Sequence, residues 1–205
     1  MTIHDLPYLI NPSLRMSSPY LQVRWHTIGQ ELLRHEALFA TPERQVYTVG
    51  GKCEVMCEAS EKLLDLYYAF STDFNRLRIQ QWLRRQLRDF IVRTAEQALP
   101  ARLHELERQK NLYCKRVTVR KLRKNVLGLC SHSGEITLPP KLVLFPQRMS
   151  DAVMLHEMAH LRHHHHRKSF WQFLSVLLGE DATAEKMKND LAYIEKHSMI
   201  EFLLK

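Results

Sequence analysis

The segment Asp151-Ala-Val-Met-Leu-His156-Glu157-Met-Ala-His160 sets two histidines and a glutamate into an otherwise apolar stretch, and it constrains the chain more than any other feature. Helical periodicity puts His156 and His160 one turn apart on one face, roughly 6 Å along the axis, where two imidazoles can share one metal ion. Val153, Met154, Leu155, Met158, Ala159 and Leu161 predict a helix buried against a sheet, with Ser150 or Asp151 as its cap. Two polar rings on such a helix need a partner, because a buried polar group without one costs roughly 1–3 kcal/mol. With 12 His and 15 Glu among 205 residues, chance predicts about 0.05 occurrences of the pattern. Six of the histidines lie between His156 and His166.

A catalytic zinc takes three protein ligands and keeps one position for water. His163 shares the face of His156 on a straight helix, but about 10.5 Å away along the axis, too far for one ion. The third ligand therefore follows a change of direction. A turn at His163 to His165 brings His166 back over the site, ten residues after His156. Spacing alone leaves His165 open, and Glu180 or Glu185 would serve in an arrangement of two histidines and one glutamate. Glu157 stands beside the metal as the expected general base, placed to take a proton from water.

Thirty Lys and Arg against 22 Asp and Glu give a formal charge of +8, which favours acidic partners. Hydrophobic residues at 45% and charged residues at 25% exclude disordered tails, collagen and rods. The four cysteines form no Cys-x-x-Cys pair, which predicts reduced thiols. The N-terminal residues do not read as a secretory signal, and no stretch approaches the roughly 20 apolar residues of a membrane helix. The expected location is the cytoplasm, with no membrane partner.

Tyr20 to Thr27 alternates as a strand, and Arg44 to Val49 faces Lys52 to Met56 across Gly50-Gly51, a hairpin signal. From about Ser60 the period predicts helix: Leu63, Leu64, Leu66 and Tyr67 first, then a long amphipathic helix after the Ser71-Thr72-Asp73 cluster, ending near Pro100. A second helix from Ala101 to Gln109 would follow a bend. The change suggests a β-rich region at 1–59 and a helical, metal-binding region at 60–205, within one domain or two. Residues 115–124 are rich in Lys and Arg and predict a solvated strand ahead of a turn at Ser131 to Gly134, with Glu135 to Leu138 returning as its hairpin partner.

His156-Glu157-Met158-Ala159-His160, His166 and Phe170-Trp171 together resemble the signature of the YgjP-like metallopeptidases. Gly128, Cys130, Ser131, Gly134-Glu135-Ile136 and Pro146 extend the resemblance upstream, whereas Leu127, Leu129, His165 and Arg167 depart from it. The resemblance is clear from about Val117 to Leu178. It implies a cytoplasmic, zinc-dependent hydrolase of α+β class: a zincin-like domain with a small antiparallel sheet packed on the active-site helix, preceded by an N-terminal β-hairpin region and long helices. His156, His160 and His166 would then hold Zn2+, with Glu157 as the catalytic base.

Peptide or protein is the expected substrate, with the Arg116 to Lys121 strand offering an edge for an extended chain. His132, Arg162 and Tyr193 are chemically able to stabilise an oxyanion. Phe170 and Trp171 are expected to staple the following helix to the metal helix. Two alternatives use the positive charge instead. One is a metal-dependent nucleoside triphosphate pyrophosphatase, the other a non-catalytic metal- or nucleic-acid-binding module, both engaging the basic strand at 115–124.

Overall fold

The computed structural model describes residues 6–39, 41–50, 52–123, 126–183 and 198–204. The chain divides into two compact units, Met1–Thr94 with Phe202–Lys205, and Ala95–Glu201.

The first unit is built on a five-stranded sheet of order β1-β2-β5-β4-β3. Its strands are β1 (Met16–Ser17), β2 (Gln22–Thr27), β3 (Arg44–Val49), β4 (Lys52–Ala59) and β5 (Leu63–Tyr68). The expected hairpin is β3–β4, with Val49 opposite Lys52 and Gly50 at φ 54°, a left-handed conformation that suits glycine. The helix expected from Leu63 to Tyr67 is instead β5. Leu64 and Leu66 are buried while Leu63, Asp65 and Tyr67 are only partly so, a period of two, and β5 pairs with β4 on one side and runs parallel to β2 on the other. A short apolar run does not separate the two periods, and sheet pairing decided it. Helix α1 (Gln30–Ala37) covers one end of the sheet by packing Leu33 onto Cys53, Met56 and Ala69.

Helix α2 (Leu77–Lys110) contributes residues to both units and runs through Pro100 without a break, where two helices were expected. Proline removes one backbone hydrogen bond and costs about 3 kcal/mol in a helix interior. Against that, Leu99, Leu103 and Leu106 continue a buried stripe beyond Ala95, and each buried leucine is worth roughly 1.5–3 kcal/mol. The stripe wins. Buried Glu107 then accepts the backbone N–H of Cys114 at 2.7 Å, which directs the chain out of the helix.

In the second unit, β6 (Arg116–Val119), β7 (Leu129–Cys130) and β8 (Glu135–Leu138) form a sheet of order β6-β8-β7. The α+β class is as expected, but the small sheet is mixed. β8 pairs antiparallel with β7 and parallel with β6, because the hairpin at Ser131 to Gly134 joins β7 to β8 and the basic strand enters from the far side. A 3₁₀ turn at Pro140–Leu144 leads to α3 (Gln147–Ala159), which packs on β7, β8 and α4 (Lys168–Leu178). Neither Ser150 nor Asp151 caps α3, which starts earlier, after Pro146. Ser150 Oγ donates to the Leu142 carbonyl at 2.7 Å, and Asp151 accepts two hydrogen bonds from Arg102 at 2.9 and 2.7 Å. Gly179, at φ 76°, ends α4, and helix α5 (Ser198–Leu204) lies near the C-terminus. Among the described residues no helix is long and apolar enough to cross a membrane.

Asp65 links β5 to β2. Burial alone would raise its pKa, but hydrogen bonds from Arg24 at 2.9 Å and His26 at 2.6 Å outweigh burial and hold it below the usual carboxylate range. A carboxylate of depressed pKa stabilises the fold above its unfolded value, near 3.9, and that contribution is lost as pH falls through the folded value. Asp65→Asn is therefore expected to lower Tm at neutral pH, with the gap to wild type closing in acid. Thermal denaturation across pH 2–7 checks this, and a gap that stays constant would contradict it.

Candidate metal centre

The metal-binding candidate lies in the second unit, where α3 ends and the chain reverses into α4. His156 sits in the last full turn of α3, and His160 closes the helix as its C-terminal cap. The backbone then turns through residues 161–166, as expected from the histidine spacing, and brings His166 back over the helix end. Ring centroids are 5.0 Å apart for His156 and His160, 5.1 Å for His156 and His166, and 4.7 Å for His160 and His166. One nitrogen from each ring lies within 4.8 Å of the other two. His156 Nε2 and His166 Nε2 are 3.0 Å apart. A tetrahedral ion with metal–nitrogen bonds of 2.0–2.1 Å sets its ligand nitrogens about 3.3 Å apart, so the three rings fit one ion.

Their protonation fits it as well. Burial, reinforced by the neighbouring imidazoles His160 and His166, pushes His156 down to about 3, and burial also lowers His160. Both rings are neutral at physiological pH and keep a lone pair for a metal. His160 Nδ1 lies 2.8 Å from the His163 carbonyl, which can only accept, so the proton sits on Nδ1 and Nε2 is the free ligand atom. His163, set aside as a ligand on grounds of axial distance, thus orients His160 through its backbone. His156 Nδ1 is buried without a hydrogen-bond partner.

Phe170 is the floor of the cluster. It is fully buried at 0% exposure, with its ring 4.9 Å from His156, 4.6 Å from His160 and 4.7 Å from His166. Trp171 Nε1 donates to the His166 carbonyl at 3.0 Å and fixes the loop from the other side. The two aromatics staple α4 to α3, as their position after the histidine run suggested.

Glu157 is buried at 6% exposure, and burial lifts its carboxyl to about 8 against the pull of the Cys130 backbone N–H. The segment leading into β7 encloses it. A Cβ placed on Gly128 would come within 2.5 Å of Glu157 Cγ and Oε1, so only glycine leaves room for this carboxylate. The edge strand next to Glu157 is therefore the one that follows Gly128.

The remaining candidates stand elsewhere. Among the described residues His165 joins no group of metal-competent side chains; its Nδ1 accepts the Arg167 backbone N–H at 3.3 Å. Glu180 pairs with Arg148 at 3.1 Å. Arg162 lies over the Phe173 ring, and His132 sits against His164. Glu185 and Tyr193 lie outside the described residues, as does Lys124 of the basic strand. Two contributors escaped sequence reading. Gly128 is visible as a glycine but not as the neighbour of Glu157, and the Arg102–Asp151 pair spans 49 residues with no local signal.

The family model described as YgjP-like, metallopeptidase domain matches residues 20–191. No curated protein and no solved structure matches the chain.

Removing the floor tests the cluster. Phe170→Ala is expected to cost about 3–5 kcal/mol of stability, the usual range for a buried phenylalanine. It should also weaken zinc affinity at least tenfold, measured by chelator competition. Unchanged affinity would mean that the three rings do not need Phe170.

Proposed function

The chain belongs to the YgjP-like metallopeptidase family, and from that membership we propose that it hydrolyses peptide bonds with one zinc ion held by His156, His160 and His166 and with Glu157 as general base. The observation that carries the reading is the convergence of three imidazole nitrogens within 4.8 Å, next in sequence to a single buried carboxylate. A zinc ion bound there would lower the pKa of a water towards about 7 and polarise a substrate carbonyl.

The chain's own residues account for the rest. Glu157 takes the proton of the attacking water on a carboxylate oxygen and passes it to the leaving amine nitrogen. Burial alone raises this carboxyl to about 8, which would keep it protonated at neutral pH; the positive charge of a divalent ion held by the neighbouring histidines would lower it again and leave the carboxylate able to accept the proton. Gly128 keeps the carboxylate in place. His166 is the exposed member of the histidine trio, so a substrate approaches from its side. An extended peptide would lie along the Leu129–Cys130 edge, whose neighbour Gly128 touches Glu157, rather than along the Arg116 to Lys121 strand considered from sequence. The four cysteines are free, which suits a reducing cytoplasm.

The test joins metal analysis to an unbiased peptide-cleavage assay. Wild type is expected to carry about one zinc and to cleave. Glu157→Gln should keep the metal and the fold while losing roughly 10²–10⁴ in rate, the usual contribution of a general base. Gly128→Ala, which displaces the carboxylate without touching a histidine, should likewise retain zinc and lose at least tenfold in kcat. Full turnover by Glu157→Gln would remove Glu157 from the mechanism. Release of pyrophosphate from nucleoside triphosphates, with no peptide cleaved by wild type, would replace the peptidase reading.

A further inference from the structure

A second pair of histidines lies outside the trio, although His164 is near enough to His160 to help lower its pKa. His132 lies in the turn between β7 and β8, and His164 in the loop between α3 and α4 that also carries His166. Their ring centroids are 4.5 Å apart with the planes inclined at 53°. The three ring pairs of the trio span 4.7 to 5.1 Å. Both rings of the second pair are exposed, so no apolar burial forces them together. Neither makes a hydrogen bond to protein among the described residues. A ring centre lies roughly 1.1 Å behind its nitrogen, so two imidazoles ligating one tetrahedral ion place their centres about 5 Å apart, close to what is seen.

We infer that His132 and His164 form a second, weaker site for a divalent transition-metal ion, bridging the β7–β8 turn and the loop that bears His166. Two imidazoles without a carboxylate select borderline cations such as Zn2+, Ni2+ and Cu2+ over Mg2+ and Ca2+, and water fills the remaining positions. Occupancy ties the turn to the loop and restrains both. The site is independent of the peptidase reading, since none of its ligands belongs to the trio.

The test is a zinc titration by calorimetry on the full chain, stripped of metal by chelator. Wild type is expected to show two classes of site, one tight and one at least tenfold weaker, each of about one equivalent. His132→Ala and His164→Ala should each weaken the second class at least tenfold and leave the first unchanged. His156→Ala/His160→Ala should remove the first and keep the second, which separates failure of one site from failure of the other. His163→Ala/His165→Ala should alter neither. Hydrogen exchange at residues 131–134 should slow as the second class fills. A single class in wild type, or a second class that survives either His132→Ala or His164→Ala with less than tenfold loss, would overturn the proposal. So would its loss in His163→Ala/His165→Ala.

Discussion

Everything at the candidate centre depends on three imidazoles crowded together, two half-buried and one exposed, with their ring centres 4.7 to 5.1 Å apart. Such an arrangement is unfavourable on its own terms. Burial and the neighbouring imidazoles drive His156 down to about 3, and burial lowers His160 as well, so neither of these two rings relieves the crowding by taking up a proton near neutral pH. His156 Nδ1 has no hydrogen-bond partner either. A bound cation turns the same arrangement into a favourable one, because neutral imidazoles with free lone pairs are what a divalent metal requires.

The surrounding structure works to hold that geometry. Arg102 grips Asp151 with two hydrogen bonds and joins α2 to α3 inside the second unit, and the surrounding carboxylates Asp151 and Glu105 raise the arginine's pKa further despite its partial burial. Ser150 ties the start of α3 to the preceding 3₁₀ turn. The His163 carbonyl sets the tautomer of His160, and Trp171 holds the His166 carbonyl. Bidentate charged pairs and buried hydrogen bonds are each worth roughly 1–3 kcal/mol, more than surface ion pairs, so precision at the centre comes from these few contacts. Phe170 then fixes the rings themselves by contact with all three.

Local chemistry was legible in the sequence and long-range contact was not. The His156 to His160 spacing follows from one helical turn, and the distance that excludes His163 calls for a turn, but spacing leaves His165, Glu180 and Glu185 open beside His166, which the family resemblance favours. The Gly50-Gly51 hairpin is equally local. By contrast, Leu63 to Tyr68 reads as helix or strand until β2 and β4 claim its backbone, and Pro100 reads as a break until the buried leucines beyond it are seen to continue the stripe. The direction of β6 relative to β8 depends on which side of the sheet the chain enters, which periodicity does not record. Gly128 lies 29 residues before Glu157 and reveals its purpose only when the space above the carboxylate is measured.

The central claim is that one ion is held by three imidazoles, and X-ray absorption at the zinc edge of the zinc-loaded protein addresses it directly. The account predicts a shell of three imidazole nitrogens at about 2.0–2.1 Å with one further light-atom ligand, falling to two imidazoles in His166→Ala. A shell with sulfur at about 2.3 Å, or one with fewer than three imidazoles in wild type, would contradict it.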